Sequence, residues 1–182
     1  LIKSKNTKVT YNKNEIISAS YVIPEDLEEL DENAPIILKG SFTGNRKIDE
    51  DTNIVGPSTI SEFKVDKVYK GSIENDIISV LEPFEIKDNN FTNIEGYIPM
   101  EENKEYILFL RENDISEGKQ YTIKFISFGK YNTSKEDNIV NQKSSIKYLE
   151  EVKDSEFISE SQEICDTYIN IKGEVLDKYL YK

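Results

Sequence analysis

The feature that most constrains this chain is a succession of strand-length apolar runs between Pro35 and Phe128, separated by polar or glycine-bearing turns. Ile36-Ile37-Leu38 lead through Gly40, Phe42 and Gly44; after polar residues 45–58, the stretch Ile60–Tyr69 alternates through Phe63, Val65 and Val68-Tyr69 and closes at Lys70-Gly71. Residues 76–86, 104–110 and 120–128 provide three more such segments. Alternation over about four to eight positions marks a strand with one buried face. Five β segments are expected, the last two joined as a hairpin through Glu117-Gly118-Lys119.

Helical patterns flank the strands. Pro24, Glu25 and Asp26 mark the start of a short helix over 24–33, whose Glu28, Glu29, Asp31 and Glu32 read as its solvated face. Beyond Gly129 the chain is polar until Ser144, and Ser145 is placed to cap a short helix carrying Ile146, Leu149 and Val152. Ile164, Tyr168, Ile171, Val175 and Tyr179 recur at helical spacing, predicting an amphipathic helix over 161–181 that is interrupted or bent near Gly173. The 182 residues suit one domain. It divides into an N-terminal tether at 1–13, a barrel with its N-terminal helix at 14–144, and a C-terminal helical segment at 145–182 packed on the barrel. The class is mainly β with flanking helices.

Charge narrows the partners. With 23 basic and 35 acidic side chains the net charge is −12, and no concentrated positive field is available for nucleic acid. No apolar stretch approaches the roughly 18–20 residues that cross a bilayer. Cys165 is the sole cysteine, so no internal disulfide forms, and it reads as a packing residue. The chain opens on Leu1 and its one methionine is Met100, which leads to the expectation that a signal peptide or lipid-anchor segment preceded it.

The order of signals carries a resemblance: a helix, Asn33-Ala34-Pro35-Ile36-Ile37-Leu38-Lys39-Gly40, a variable loop, Phe63-Lys64-Val65-Asp66-Lys67-Val68-Tyr69-Lys70-Gly71, Tyr97, Glu105-Tyr106-Ile107-Leu108-Phe109-Leu110, and Phe128-Gly129-Lys130-Tyr131. Over residues 24–131 this resembles the N-terminal OB-fold domain of the tissue inhibitors of metalloproteinases and netrin-like modules, and more closely a group of exported bacterial proteins with that barrel. The resemblance implies a five-stranded Greek-key barrel and display outside a bacterial cell. The animal inhibitors bind the protease zinc through an N-terminal cysteine, whereas this chain begins Leu1-Ile2-Lys3, so inhibition by that wedge is not expected.

The absence of histidine excludes Ser-His-Asp, Cys-His and histidine-zinc sites within the chain, and no phosphate-binding glycine loop occurs. No cofactor is expected. Asp49, Asp51 and Asn53 offer oxygen ligands at alternate positions, as a calcium loop does, but Ile54 and Ile60 stand where its glycine and bidentate glutamate belong. Binding candidates are Tyr97, Tyr121 and Tyr131, as rings on an exposed barrel face, and Arg46, at the barrel rim after the first strand. Arg46 and Arg111 otherwise read as surface charges. The expected function is non-enzymatic: a surface-displayed or secreted module binding a protein or envelope component. The alternatives are a wall-glycan hydrolase using two carboxylates and a weak calcium-binding surface protein.

Overall fold

A computed structural model describes residues 10–11, 22–50, 56–88, 90–115, 118–136, 139–140, 151–152 and 154–182. In chain order the elements are β1 (Thr10–Tyr11), α1 (Leu27–Asn33), β2 (Ile36–Ile48), β3 (Thr59–Lys70), β4 (Ile77–Glu82), β5 (Phe84–Lys87) and β6 (Asn90–Asn93). There follow β7 (Glu105–Ile115), β8 (Gly118–Ile123), a 3-10 turn at Ile126–Gly129, β9 (Lys130–Asn132), β10 (Ile139–Val140), β11 (Phe157–Ile158) and α2 (Gln162–Tyr179).

Strands pair in the order β2-β3-β4-β8-β7, and β2 also pairs with β7, closing a five-stranded barrel to which β9 adds beside β7. The β4–β8 pairing is parallel and the other barrel pairings are antiparallel. This is the connectivity of an OB-fold-like Greek-key barrel. Gly40 lets β2 and β3 approach closely, since a Cβ there would overlap the Lys64 carbonyl oxygen.

Two apolar layers explain why some runs alternate and others do not. Leu38, Phe63, Val80, Leu108, Leu110 and Tyr121 fill the barrel. On its outside, Ile37, Ile107, Phe109 and Tyr131 meet Leu27 and Leu30 of α1 and Tyr168, Ile171 and Val175 of α2. The start of β2 and the middle of β7 are covered on both faces, so Ile36-Ile37-Leu38 and Ile107-Leu108-Phe109-Leu110 are unbroken apolar runs. Helix α1 begins at the cap Asp26, whose carboxylate accepts from Glu29 N at 3.0 Å. Helix α2 begins at Ser161, whose hydroxyl accepts from Ile164 N at 3.3 Å.

Several expectations are corrected. Helix α2 runs unbroken across Gly173, which lies on its exposed face and interrupts nothing. The third segment divides at Pro83, which has no N–H for a ladder; β5 leaves the barrel and pairs with β6. The fifth strand ends at Ile123, and Phe128 lies in the 3-10 turn. Within the expected tether, Thr10 and Tyr11 pair in parallel with Asn90 and Phe91. The connecting residues of the β7–β8 hairpin and nearly all of the expected helix near 145–152 lie outside the described residues. The hairpin itself is antiparallel, with Ile115 opposite Gly118.

Candidate functional site

The sequence placed Arg46 among the surface charges at the barrel rim. It is instead 5 % exposed and points into the barrel opposite Ser61, where a carboxylate waits for it. Arg46 Nη2 donates to Glu82 Oε1 at 3.2 Å and to the Met100 carbonyl at 2.6 Å. Its guanidinium lies 4.0 Å from the Phe42 ring centroid and 5.2 Å from that of Phe84. Glu82 also accepts from Ser61 Oγ at 2.5 Å, from Tyr97 Oη at 2.8 Å and from Met100 N at 2.8 Å. A fully buried carboxylate is thus held by one cation and three neutral donors. Burial, and then the Glu82 charge, push the Tyr97 hydroxyl well above its usual range, so it stays protonated and donating.

The proposed ring platform is not on the surface. Tyr97 and Tyr131 have no exposure and Tyr121 is 3 % exposed. Tyr121 sits opposite Val80 on the inward face of β8, and Tyr131 stacks on Tyr168 of α2 at 4.9 Å. Strand alternation buries Tyr121, the docked helix α2 covers Tyr131, and Tyr97, after β6, stacks on Phe84 in the barrel core, which corrects their placement on an exposed face. Asp49 accepts from Ser58 Oγ at 3.3 Å, while Asp51 and Asn53 lie outside the described residues. Among the described residues no group of three or more acidic or cysteine side chains is arranged to hold a metal ion.

A second buried ionic cluster fastens α2. Lys172 Nζ donates to Glu156 Oε2 at 2.6 Å and to Asn132 Oδ1 at 3.1 Å, while Asn132 N donates to Glu156 Oε1 at 2.7 Å. Desolvation raises the Glu156 carboxyl above its usual range although Lys172 opposes the shift. Lys130 donates to the Ile98 carbonyl, and its ammonium lies 4.4 Å from the Tyr97 ring centroid. Burial lowers its pKa to about 8, against the raising influence of Glu82 and Glu156.

Among the described residues one concavity is a cleft of about 420 Å³ on the outer face of the barrel, and another, of about 510 Å³, is lined by polar residues including Asn103, Thr133 and Asp154. Register places the walls of the first: Leu81 of β4 is beside Thr122 of β8, Thr122 is opposite Arg111 of β7, and Asn113 is opposite Gln120. Pro57, Pro83, Ile94, Ile123 and Ile126 supply apolar surface, and Asp114 stands further along β7. Ile126 has φ 54° and Phe125 φ 55°. A β-branched residue in the left-handed region costs about 1–3 kcal/mol, and such strain concentrates at functional sites.

Sequence reasoning did not single out Glu82, Lys130 or Lys172 as buried charges. Two of them carried a signal: Glu82 is in phase with inward Val80 and Phe84, and Lys172 lies on the apolar stripe of α2 beside Tyr168 and Val175. No protein-family model matches the chain, and a search of curated proteins finds no match.

Proposed function

We propose that this chain is a non-enzymatic binding module that holds a protein or envelope component in the cleft on its barrel. The observation that carries the reading is the position of that cleft. It opens between Pro57-Ser58, at the end of the β2–β3 connection, and the β7–β8 hairpin. Barrels of this strand order bind oligonucleotides and oligosaccharides through the face of their second and third strands and these same two connections; here the cleft takes in both connections and the third barrel strand at Leu81 and Glu82. Glu82, beneath the cleft, is engaged by four donors in its own network, which suits a rigid support better than a reacting group. The likeness of Phe63–Gly71 and Lys104–Leu110 to exported bacterial barrels supports display at a bacterial cell surface.

The test is affinity capture from a bacterial envelope fraction on immobilised full chain, with Thr122→Arg filling the cleft as comparison. The wild-type chain is expected to retain a component that the substituted chain, verified as folded by its circular dichroism and melting, loses. Equal retention by both would remove the cleft from the function, and retention by neither would oppose a binding role.

A further inference from the structure

The regular pairing of β7 with β8 sorts the charges of this hairpin onto two faces. Arg111 is opposite Thr122 and Asn113 is opposite Gln120, and these four line the cleft on the outer face beside Leu81 of β4. Glu112 and Asp114 belong to the other face, where Lys119 lies opposite Asp114 and pairs with Glu112 at 3.1 Å and with Glu74 at 3.0 Å. Glu82 is fully buried and pairs with Arg46. The outer face therefore keeps an exposed guanidinium without a counterion: among the described residues Arg111 has no ion-pair partner, in a chain of net charge −12. Directly across from it is a hydroxyl set up to donate. The Asn113 amide donates to Thr122 Oγ1, which engages that oxygen as an acceptor and leaves its own proton to donate. Around these two donors Leu81, Ile94 and Ile126 supply apolar surface.

We propose that the cleft binds the C-terminal end of a partner polypeptide, with the free α-carboxylate on Arg111 and Thr122 and the last apolar side chains against Leu81, Ile94 and Ile126. This rests on the binding reading above and names its ligand. A guanidinium presents paired N–H donors in one plane, which match the two oxygens of a carboxylate, and the hydroxyl opposite takes a remaining lone pair. A chain terminus carries its one negative charge on the same carbon as its final side chain, so a cation and an apolar floor are met together. An internal Glu or Asp would bring backbone amides on both sides of its carboxylate, and the apolar part of the cleft would leave them unpaired. Nucleobases stack on aromatic rings, and no lining residue of the cleft is aromatic. The net charge of −12 opposes a polyanion far more than a singly charged terminus. The volume of about 420 Å³ is within the range of sites that enclose a short ligand segment.

The experiment uses the full chain and hexapeptides labelled with fluorescein at the N-terminus, whose last three positions are drawn from alanine, valine, leucine and phenylalanine. Each is made with a free C-terminal acid and as the C-terminal amide. Fluorescence anisotropy is expected to show saturable binding of at least one free-acid peptide, and its amide is expected to bind about tenfold to a hundredfold more weakly. An amidated peptide with glutamate in the last position is expected to bind no better than the plain amide, which separates a terminal carboxylate from a side-chain one. Arg111→Gln is expected to remove the preference for acid over amide and Arg111→Lys to keep part of it. Thr122→Val is expected to weaken the acid severalfold and leave the amide unchanged. A merely structural role for Arg111 would weaken acid and amide alike. No saturable binding of any free-acid peptide to folded protein, equal binding of acid and amide, equal binding of the glutamate amide, or an acid preference that survives Arg111→Gln would overturn the proposal. Envelope capture kept by the wild-type chain and lost in Thr122→Arg would then confine the failure to the ligand and leave the binding reading intact. No capture by the wild-type chain would remove both.

Discussion

Glu82 holds Arg46, Ser61, Tyr97 and the Met100 backbone at once, so its charge is the counterweight to a guanidinium with almost no access to water. Glu82→Gln keeps part of the hydrogen bonding but leaves that cation unpaired, and it is expected to destabilise the chain by about 3–5 kcal/mol in urea denaturation. Arg46→Met in the same background is expected to recover part of the loss, because the uncompensated charge is then gone; an additive double variant would show the two residues to be uncoupled. Lys130 gives a pH dependence of definite sign. Its pKa is about 8 in the folded chain, against about 10.4 unfolded. Between these values the unfolded chain binds more protons, so this lysine makes stability rise with pH across that window. The raised Tyr97, Tyr131 and Tyr168 hydroxyls act oppositely above the unfolded tyrosine value of about 10. From pH 8 to 10 the wild-type chain is expected to gain up to about 3 kcal/mol relative to Lys130→Met. Parallel pH profiles for the two would show that Lys130 is not the titrating group.

At the scale of elements, α2 shows how spacing and context divide the work. Its apolar positions were legible because Tyr168, Ile171 and Val175 follow the helical period, and Ser161 was legible as a boundary. Gly173 was misread because glycine weakens a helix without ending one; here the docked face holds the helix through it. A Cβ at Gly173 would meet nothing within 4 Å, and the residue is exposed. Gly173→Ala is therefore expected to stabilise the chain by about 0.5–1 kcal/mol, read as a raised melting temperature. An unchanged or lowered value would place a constraint on that face which the fold does not account for. The β5–β6 hairpin was missed for the opposite reason. Residues 76–86 read as one strand, and only the pairing of Phe84–Lys87 with Asn90–Asn93 shows that Pro83 divides two sheets.

For the molecule as a whole, the barrel and α2 share one apolar layer and one buried ionic cluster, so they are expected to unfold together. Ending the chain at Glu160 exposes Ile37, Ile107, Phe109 and Tyr131 and strands Glu156 without Lys172. Each large side chain lost from that layer is worth about 1.5–3 kcal/mol, and the shortened chain is expected to lose cooperative thermal unfolding and to scatter light. A soluble, cooperatively melting fragment would establish the barrel as independent. The sequence by itself determined the approximate positions of the five barrel strands, the two described helices and the exclusion of histidine chemistry, because periodicity and residue type are local properties of the chain. Tertiary structure decided which charges are buried, since Arg46, Glu82, Lys130 and Lys172 are polar in composition and interior only once distant strands and α2 enclose them. It also decided where the cleft lies, because Leu81, Arg111 and Thr122 become neighbours only through the β4–β8–β7 register.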